Sequence, residues 1–383
     1  MADLNVVMKN SRLCNLRCSY CTDWRAGPGQ TMTFEVMASA IDFALQDPHY
    51  ERITFNWHGG EPTLLPTAFY EQVLQVQARL RHPHQLITNT MQSNGTRLTP
   101  ELIRFLERNA FALGISLDGP QEIHDRYRVT AAGGPTFERV LDGIRLLSDA
   151  GVPVSAIMVV SDDVLAAGAD RVFDTFLSLG LTSFALNPVR PVNQPLAPPA
   201  TPTRNYADPP RYTAFLRRLV DRWIEHGDPR IRIREVTSLL QRLRSELPQV
   251  CTLAGGCFGL IYRVDPDGLL AHCGHFDGDE RFVLGNVLTD DLPRIVQGDR
   301  FAARVRDNER ELEQLRGCPE FAVCNGWCPH DRYLSARHNP DHSSTCCGLS
   351  DLIGHLRARL DDVQAMSTAS VDAAGLGGLP VLT

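Results

Sequence analysis

Eleven cysteines fall in two clumps, and this uneven distribution constrains the chain more than any other feature of its sequence. Three stand at Cys14, Cys18 and Cys21, eight lie between Cys251 and Cys347, and the 229 residues between the clumps hold none. In a reducing compartment disulfides are rare, and clustered thiols more often hold metal. The compartment is read from the N-terminus, Met-Ala-Asp-Leu-Asn-Val-Val-Met, which lacks the positive start and apolar run of a signal peptide. No uninterrupted apolar stretch of about 18 residues predicts a spanning helix. The chain therefore reads as cytoplasmic, with no membrane partner and with at least two separate metal-binding regions.

Of the 383 residues, 43% are hydrophobic and 22% charged, the balance of a soluble protein with a real core. A net charge of −7 argues against a duplex-binding protein, so no nucleic-acid partner is expected. Residues 4–9 read as a strand running straight into the first cysteines. Strand-like stretches at 52–57, 85–91, 111–117, 153–160 and 182–186 then alternate with helical periodicity at 33–45, 68–80, 100–108, 136–150 and 164–179. Repeated β-then-α units predict an α/β fold with a parallel sheet wrapped by helices. Six units suit a partial (β/α)6 TIM-like barrel, with an open doubly wound sheet as the alternative. Eight prolines in 188–210 mark a surface connection or lid. Helical stretches at 212–226 and 236–247 lead to the second cysteine region, and the Gly-rich tail after Ser367 is expected to be mobile. The expected organisation is a barrel over 1–210, a helical connection over 211–250, a cysteine-rich extension over 251–366 and a tail over 367–383.

Cys14-Asn-Leu-Arg-Cys18-Ser-Tyr-Cys21 has the spacing C-x3-C-x2-C on a loop after a strand. Thiolates are the usual ligands of iron–sulfur clusters. Three of them on one short loop can hold three irons of a cubane and leave the fourth iron open. A structural zinc site is the alternative, but it needs a fourth ligand and prefers C-x2-C pairs. The spacing, with Tyr20 before the last cysteine, resembles the signature of the radical S-adenosylmethionine (SAM) superfamily. In that family the open iron binds the amino and carboxylate groups of SAM. One electron then cleaves SAM to methionine and a 5′-deoxyadenosyl radical that abstracts a substrate hydrogen.

Further segments support the resemblance. His58-Gly59-Gly60-Glu61-Pro62 follows the second strand, Gln92-Ser93-Asn94-Gly95 the third, and Ser116-Leu117-Asp118-Gly119-Pro120 the fourth. All fall at the carboxyl ends of parallel strands, the face on which barrel active sites are built. By resemblance Tyr20 would approach the adenine, Gly59 and Gly60 would let backbone pass close to a ligand, and Glu61 would accept from the SAM ammonium. Ser93, Asn94 and Ser116 would contact ribose and carboxylate. Arg128 is a further candidate for the SAM carboxylate, although most of the 124–139 segment reads as a capped, solvated helix start.

The second clump resembles the SPASM extension of radical SAM enzymes, which houses one or two auxiliary 4Fe–4S clusters. Cys257 is followed by ten residues, Gly268, four residues and Cys273. Cys318, Cys324 and Cys328 follow, then Cys346 and Cys347. The turn Asp265-Pro266-Asp267-Gly268 fits a hairpin. Carried over residue by residue, one cluster would take Cys251, Cys257, Cys273 and Cys328, and the other Cys318, Cys324 and Cys346. The family's fourth ligand to the second falls on Leu315, which cannot ligate. An open iron, the adjacent Cys347, or an oxygen or nitrogen ligand such as Asp331 or His330 would have to serve. Zinc bound by four cysteines remains the alternative for this region.

The resemblance implies a precursor peptide or protein as substrate and an external electron donor such as flavodoxin or ferredoxin. In sulfatase-maturing members an aspartate follows the equivalent of Cys273 and acts as base. Here Gly274 stands there, followed by His275-Phe276-Asp277, with His275 and Asp277 as weak catalytic candidates. That departure turns the expectation toward a peptide maturase that forms a crosslink, a C–C cyclophane or a thioether. Sulfatase maturation or another peptide oxidation or epimerisation is the alternative, and a non-catalytic iron–sulfur or zinc scaffold is the reading from a different class. With the barrel starting at the N-terminus, substrate capture is expected to use the barrel mouth, the Pro-rich segment or a separate peptide-recognition protein.

Overall fold

Successive side chains of a strand point to opposite faces. Leu4, Val6 and Met8 of β1 (Ala2–Ser11) are therefore buried together against helices, while Asn5, Val7 and Lys9 share the other face. The computed structural model describes residues 2–21, 23, 30–190, 206–247 and 250–373. Within them the chain continues through α1 (Phe34–Leu45), β2 (Tyr50–Gly59), α2 (Thr67–Leu80), β3 (Leu86–Ser93), α3 (Pro100–Arg108), β4 (Ala112–Ser116), α4 (Gln121–Tyr127) and α5 (Phe137–Asp149). Then come β5 (Ser155–Val160), α6 (Asp162–Ala167), α7 (Ala169–Ser178), β6 (Ser183–Pro188), α8 (Pro209–His226), β7 (Arg232–Ile233) and α9 (Arg234–Leu243).

β1 to β7 pair side by side in chain order, and the pairs are parallel. A doubly wound sheet reverses its strand order at a switch point. This sheet does not reverse, so its winding is that of a barrel wall, and the doubly wound alternative falls away. Register carries the two-sided pattern across the wall. Met8, Trp57 and Met91 line up on the buried helix side, while Val7, Asn56 and Thr90 line up on the other face, only partly covered.

The far edge of β1 pairs with β8 (Ile261–Val264), and β8 forms an antiparallel hairpin with β9 (Leu269–His272), which pairs with β10 (Val283–Asn286). Among the described residues these strands make one ten-stranded sheet. The expected hairpin at Asp265–Gly268 is present, with Gly268 at φ +84° and its N–H donating to Asp265 O at 2.9 Å. Sewing this hairpin to β1 brings the second cysteine region against the first. The remaining helices are α10 (Leu292–Gln297), α11 (Asp299–Leu315), α12 (Phe321–Cys324), α13 (Pro329–His338), α14 (Ser350–Ala358) and α15 (Leu360–Ala373). α14 lies on α8, and α12 on α9.

Local chemistry explains most boundaries. Thr33, Thr99 and Ser161 cap α1, α3 and α6 by accepting a backbone N–H. The single helix expected over 164–179 is instead two, because Gly168 at φ +84° ends α6 and opens α7. α4, only seven residues long, carried too little periodicity to be separated from its flanks. Of the Pro-rich stretch, residues 191–205 lie outside the described residues, so the lid expectation is not addressed there. α15 continues through Ala373, past the point where the tail was expected to begin, and residues 374–383 lie outside the description.

Candidate active site

The cysteine loop leaves the carboxyl end of β1 and is clamped backbone to backbone by the segment after β2. Gly60 N–H donates to Ser11 O at 2.6 Å and Glu61 N–H to Leu13 O at 2.8 Å. A Cβ on Gly60 would lie 2.0 Å from Leu13 O, and one on Gly59, at φ +118°, 2.4 Å from Ser11 O. These glycines therefore permit a close approach to the cysteine loop.

Glu61 is buried and pins three segments together. Its Oε1 accepts from Thr63 N (3.0 Å), Thr63 Oγ1 (2.6 Å) and Ser93 Oγ (2.9 Å), and its Oε2 accepts from Asn94 N at 2.7 Å. Burial raises its carboxyl above the usual range although these donors oppose the shift. Asn94 in turn donates Nδ2 to Asn15 Oδ1 at 2.9 Å and lies 3.9 Å from Cys14 Sγ. Ser116 Oγ accepts from Gln92 Nε2 at 3.0 Å. Cys18 is buried, Cys14 and Cys21 are half-buried, and burial pushes the Cys14 thiol up to about 11 and Cys18 to about 12. Unligated, these thiols stay protonated at neutral pH. A bound cation would supply the charge that makes them thiolates.

Asp118 organises the opposite side of the loop, and sequence reasoning passed over it as part of a common Asp-Gly-Pro turn. Its carboxylate accepts from the Tyr20 hydroxyl, from Arg128 Nε at 2.9 Å and Nη2 at 3.1 Å, and from Val159 N at 2.9 Å. Burial would raise this carboxyl, but Arg128 outweighs it and holds the group below the usual range. Arg128 lies 5.4 Å over the Tyr20 ring and beside the Cys18 thiol. Arg128, a candidate for the SAM carboxylate, directs its Nε and Nη2 to Asp118. Tyr20 likewise commits its hydroxyl, leaving its ring, stacked on Tyr127 at 5.8 Å, as what it can present. The segment 124–128, within a stretch expected to be mostly a solvated helix start, is buried at two positions. His124 and Arg128 are buried, and Asp125 Oδ1 caps α5 by accepting from Thr136 N and Phe137 N.

The inner face behind the loop is polar. Asn56 Oδ1 is buried there without a hydrogen-bond partner, an acceptor suited to a polar ligand. Lys9, buried, pairs with Asp23 at 2.5 Å and Asp277 at 3.1 Å, while Arg263 pairs with Asp265 at 3.0 Å and Asp277 at 3.1 Å. Burial would raise the Asp277 carboxyl, but Lys9 and Arg263 outweigh it and hold it low. Asp277 is therefore an ion-pair partner to two cations and poorly placed to act as a base.

The eight C-terminal cysteines separate into two groups. Cys251, Cys257, Cys273 and Cys328 influence one another electrostatically, and burial raises the Cys257, Cys273 and Cys328 thiols, while Cys251 lies at the exposed edge of the group. His272 Nε2 lies 3.4 Å from Cys257 Sγ, and Cys273 sits at φ +60° with its Sγ accepting from His275 N. Beside this group Arg190, just past β6, pairs with Asp331 at 2.5 and 2.9 Å, and Trp327 Nε1 donates to the same carboxylate at 3.0 Å. Burial would raise Asp331, but Arg190 outweighs it and lowers the carboxyl to about 2. His275 stacks on His330 at 5.4 Å in the same neighbourhood, which His58 also reaches. Cys318, Cys324, Cys346 and Cys347 form the second group. Among the described residues no three His, Cys, Asp or Glu side chains converge as ligands of a single metal ion do. A cubane spaces its thiolates more widely, since each grips a different iron.

A parallel barrel wall with a three-thiol loop at its carboxyl end defines a class. Residues 9–165 match the radical SAM superfamily, and the chain is a radical SAM enzyme, dependent on SAM and 4Fe–4S chemistry. Its relatives narrow the picture. It is 29% identical over 368 residues to the serine-type anaerobic sulfatase-maturating enzyme of Bacteroides thetaiotaomicron, covering 91% of this chain and 88% of that protein. The cysteine-type enzyme of Clostridium perfringens is 26% identical over 339 residues, covering 86% and 89%. The fold matches native anSMEcpe with bound AdoMet and Kp18Cys peptide at a TM-score of 0.81 and 24% identity, over 96% of this chain and 99% of that one. SuiB of Streptococcus suis bound to its precursor peptide SuiA matches less closely, with a TM-score of 0.58 and 16% identity over 90% and 76%.

Proposed function

We propose that this chain is a SPASM-type radical SAM maturase that oxidises a serine or cysteine side chain of a sulfatase-like protein to the aldehyde formylglycine. The observation that carries this reading is coverage: relatives named as sulfatase-maturating enzymes align along 86–91% of this chain and 88–89% of their own length. A match of that length takes in the barrel wall and reaches into the second cysteine region. Crosslink formation, which the sequence favoured, becomes the second reading, kept because Gly274 stands directly after Cys273.

In this account Cys14, Cys18 and Cys21 hold the SAM cluster, and the C-terminal thiols hold auxiliary clusters. When bound, these groups supply one-electron chemistry: a SAM-derived radical removes one hydrogen atom, and an auxiliary cluster accepts the electron left behind. The protein's own part is positioning. Gly59 and Gly60 seat the cysteine loop, Glu61 ties the Ser93–Asn94 turn to it, and Asp118 fixes Tyr20 and Arg128 at its side. Ser116 and Asn94 offer polar contacts toward the ligand. With Asp277 tied to Lys9 and Arg263, His275 is the proton acceptor we favour. Reducing equivalents come from a flavodoxin- or ferredoxin-class donor. Among the described residues no helix is long and apolar enough to cross a membrane.

The test is anaerobic turnover with SAM, dithionite and sulfatase-derived peptides carrying serine or cysteine at the target position. From serine the expected product is two hydrogens lighter; from cysteine, loss of two hydrogens is followed by hydrolysis that releases hydrogen sulfide, and a hydrazine captures the aldehyde from either. A product that loses two hydrogens, yields no hydrazone and resists proteolysis as a ring would overturn formylglycine formation in favour of crosslinking. His275→Gln should keep 5′-deoxyadenosine formation while losing aldehyde.

A further inference from the structure

We infer that Cys347 is the fourth ligand of the second auxiliary site, so that Cys318, Cys324, Cys346 and Cys347 form a closed four-thiolate set and leave no open iron. The inference rests on the auxiliary-cluster part of the proposed function, and it settles the choice that Leu315 creates.

Three independent features lead there. First, the thiols themselves are gathered. Cys347 is in hydrogen-bond contact with Cys324 and with Cys346, and Cys346 with Cys318. Ser350 Oγ lies 3.2 Å from Cys346 Sγ and 3.7 Å from Cys318 Sγ, which marks the same spot from α14. Adjacent residues have Cα atoms about 3.8 Å apart, so two neighbours can serve one site when the chain turns there. It does turn: Gly348 sits at φ +89° and donates its N–H to Cys346 Sγ at 3.4 Å.

Second, the two sets of four are separated by a deliberate kink. Asn325, Gly326 and Trp327 stand in succession at φ +49°, +78° and +62°. A bulky residue such as tryptophan rarely adopts positive φ, and a strained turn of this kind persists only where surrounding structure fixes it. Its effect is to send Cys324 toward one group and Cys328 toward the other. Asn325 Nδ2 donates to Leu253 O at 2.7 Å, Trp327 Nε1 donates to Asp331, and Arg332 donates to Gly326 O and Trp327 O at 2.8 Å each.

Third, the rival ligands are engaged elsewhere. Asp331 is bound to Arg190 and Trp327 beside Cys328 and Cys251. His330 packs edge-on against Phe276 at 4.8 Å and stacks near His275, also beside the first group. Leu315 itself is buried at the end of α11, where its side chain would meet any Cβ placed on Gly326 at 3.3 Å. It fills the position with apolar contact, and the thiol it lacks comes from the other end of the cysteine region.

A site closed by four thiolates can carry electrons but cannot bind a substrate or an exchangeable ligand at iron. The experiment uses the full chain with Cys14, Cys18 and Cys21 all changed to Ala, reconstituted anaerobically with iron and sulfide. This isolates the auxiliary sites from SAM chemistry. About eight irons per chain are expected, with no three-iron cluster signal in electron paramagnetic resonance after mild oxidation. Adding Cys347→Ala or Cys347→Ser should produce that signal, and adding Leu315→Cys to Cys347→Ala should abolish it again. A three-iron signal with Cys347 intact, no change on replacing Cys347, or zinc in place of iron would each overturn the inference. Failure of the formylglycine reading is distinguishable, because it shows in the unsubstituted chain as a full iron complement and 5′-deoxyadenosine without aldehyde.

Discussion

The cysteine loop after β1 and the C-terminal thiol groups use the same side chain for opposite ends. On the loop, three thiols project from eight consecutive residues, and the surrounding groups are spent on holding backbone: Gly59, Gly60 and Glu61 on one side, Asp118 and Arg128 on the other. In the C-terminal region each group draws its four thiols from separate segments, and beside the first group the His275–His330 stack and the Arg190–Asp331 ion pair join distant elements. Under the proposed assignment, three thiols leave a coordination position for chemistry and four leave none. The difference teaches that openness here is a matter of ligand count, with local backbone clamps keeping the short set in place.

The comparison can be broken most decisively at the loop. Replacing Cys14, Cys18 and Cys21 together by Ala should reduce 5′-deoxyadenosine formation to background while about two thirds of the iron remains. Loss of all iron would mean that the two regions are not independent. Asp118→Asn comes next. It leaves the Arg128 guanidinium buried without its carboxylate, a change that typically costs about 3–5 kcal/mol. Denaturant titration should find that loss together with weaker SAM cleavage, whereas auxiliary iron should be retained. Gly60→Ala forces a methyl against Leu13 O. Overpacking of this kind costs about 1–3 kcal/mol, and SAM cleavage should fall without loss of auxiliary iron.

The smallest effect concerns pH. His124 is buried between Asp118 N and Thr136 Oγ1, and burial lowers it from 6.5 to about 4 despite the nearby carboxylates. A group whose folded value is depressed contributes its stability fully above the unfolded value and loses it as pH falls toward the folded one. Stability from His124 should therefore decline between pH 6.5 and about 4, amounting to about 1 kcal/mol on going from neutral pH to about pH 5.5. His124→Asn should show a flatter dependence in anaerobic denaturation over that interval. An equal slope in both chains would assign the proton uptake elsewhere.

Much of this was legible before any coordinates. The period-two strands and capped helices of the wall follow from local patterning, and the first cysteine spacing points to its chemistry once the segments after β2, β3 and β4 are read with it. What stayed hidden was set by partners distant in sequence. The β8 hairpin joins β1 across about 250 residues of chain, and nothing local to either strand encodes that pairing. Asp118 looks like an ordinary turn residue until Tyr20, Arg128 and Val159 converge on it. Gly59 and Gly60 read as sites of close approach, and the fold brings the cysteine loop against them. Asp277 stood close enough to Cys273 to suggest catalysis, yet Lys9 and Arg263 claim it. Cys347 was one option among several until the fold placed its rivals beside the other group.

The contrast between an open loop and closed C-terminal groups is tested most directly by adding SAM to the reduced, fully reconstituted chain and recording electron paramagnetic resonance before and after. The account predicts that SAM alters the signal of one cluster, and that the chain lacking Cys14, Cys18 and Cys21 shows no response at all. A SAM-dependent change that survives in that variant would contradict it.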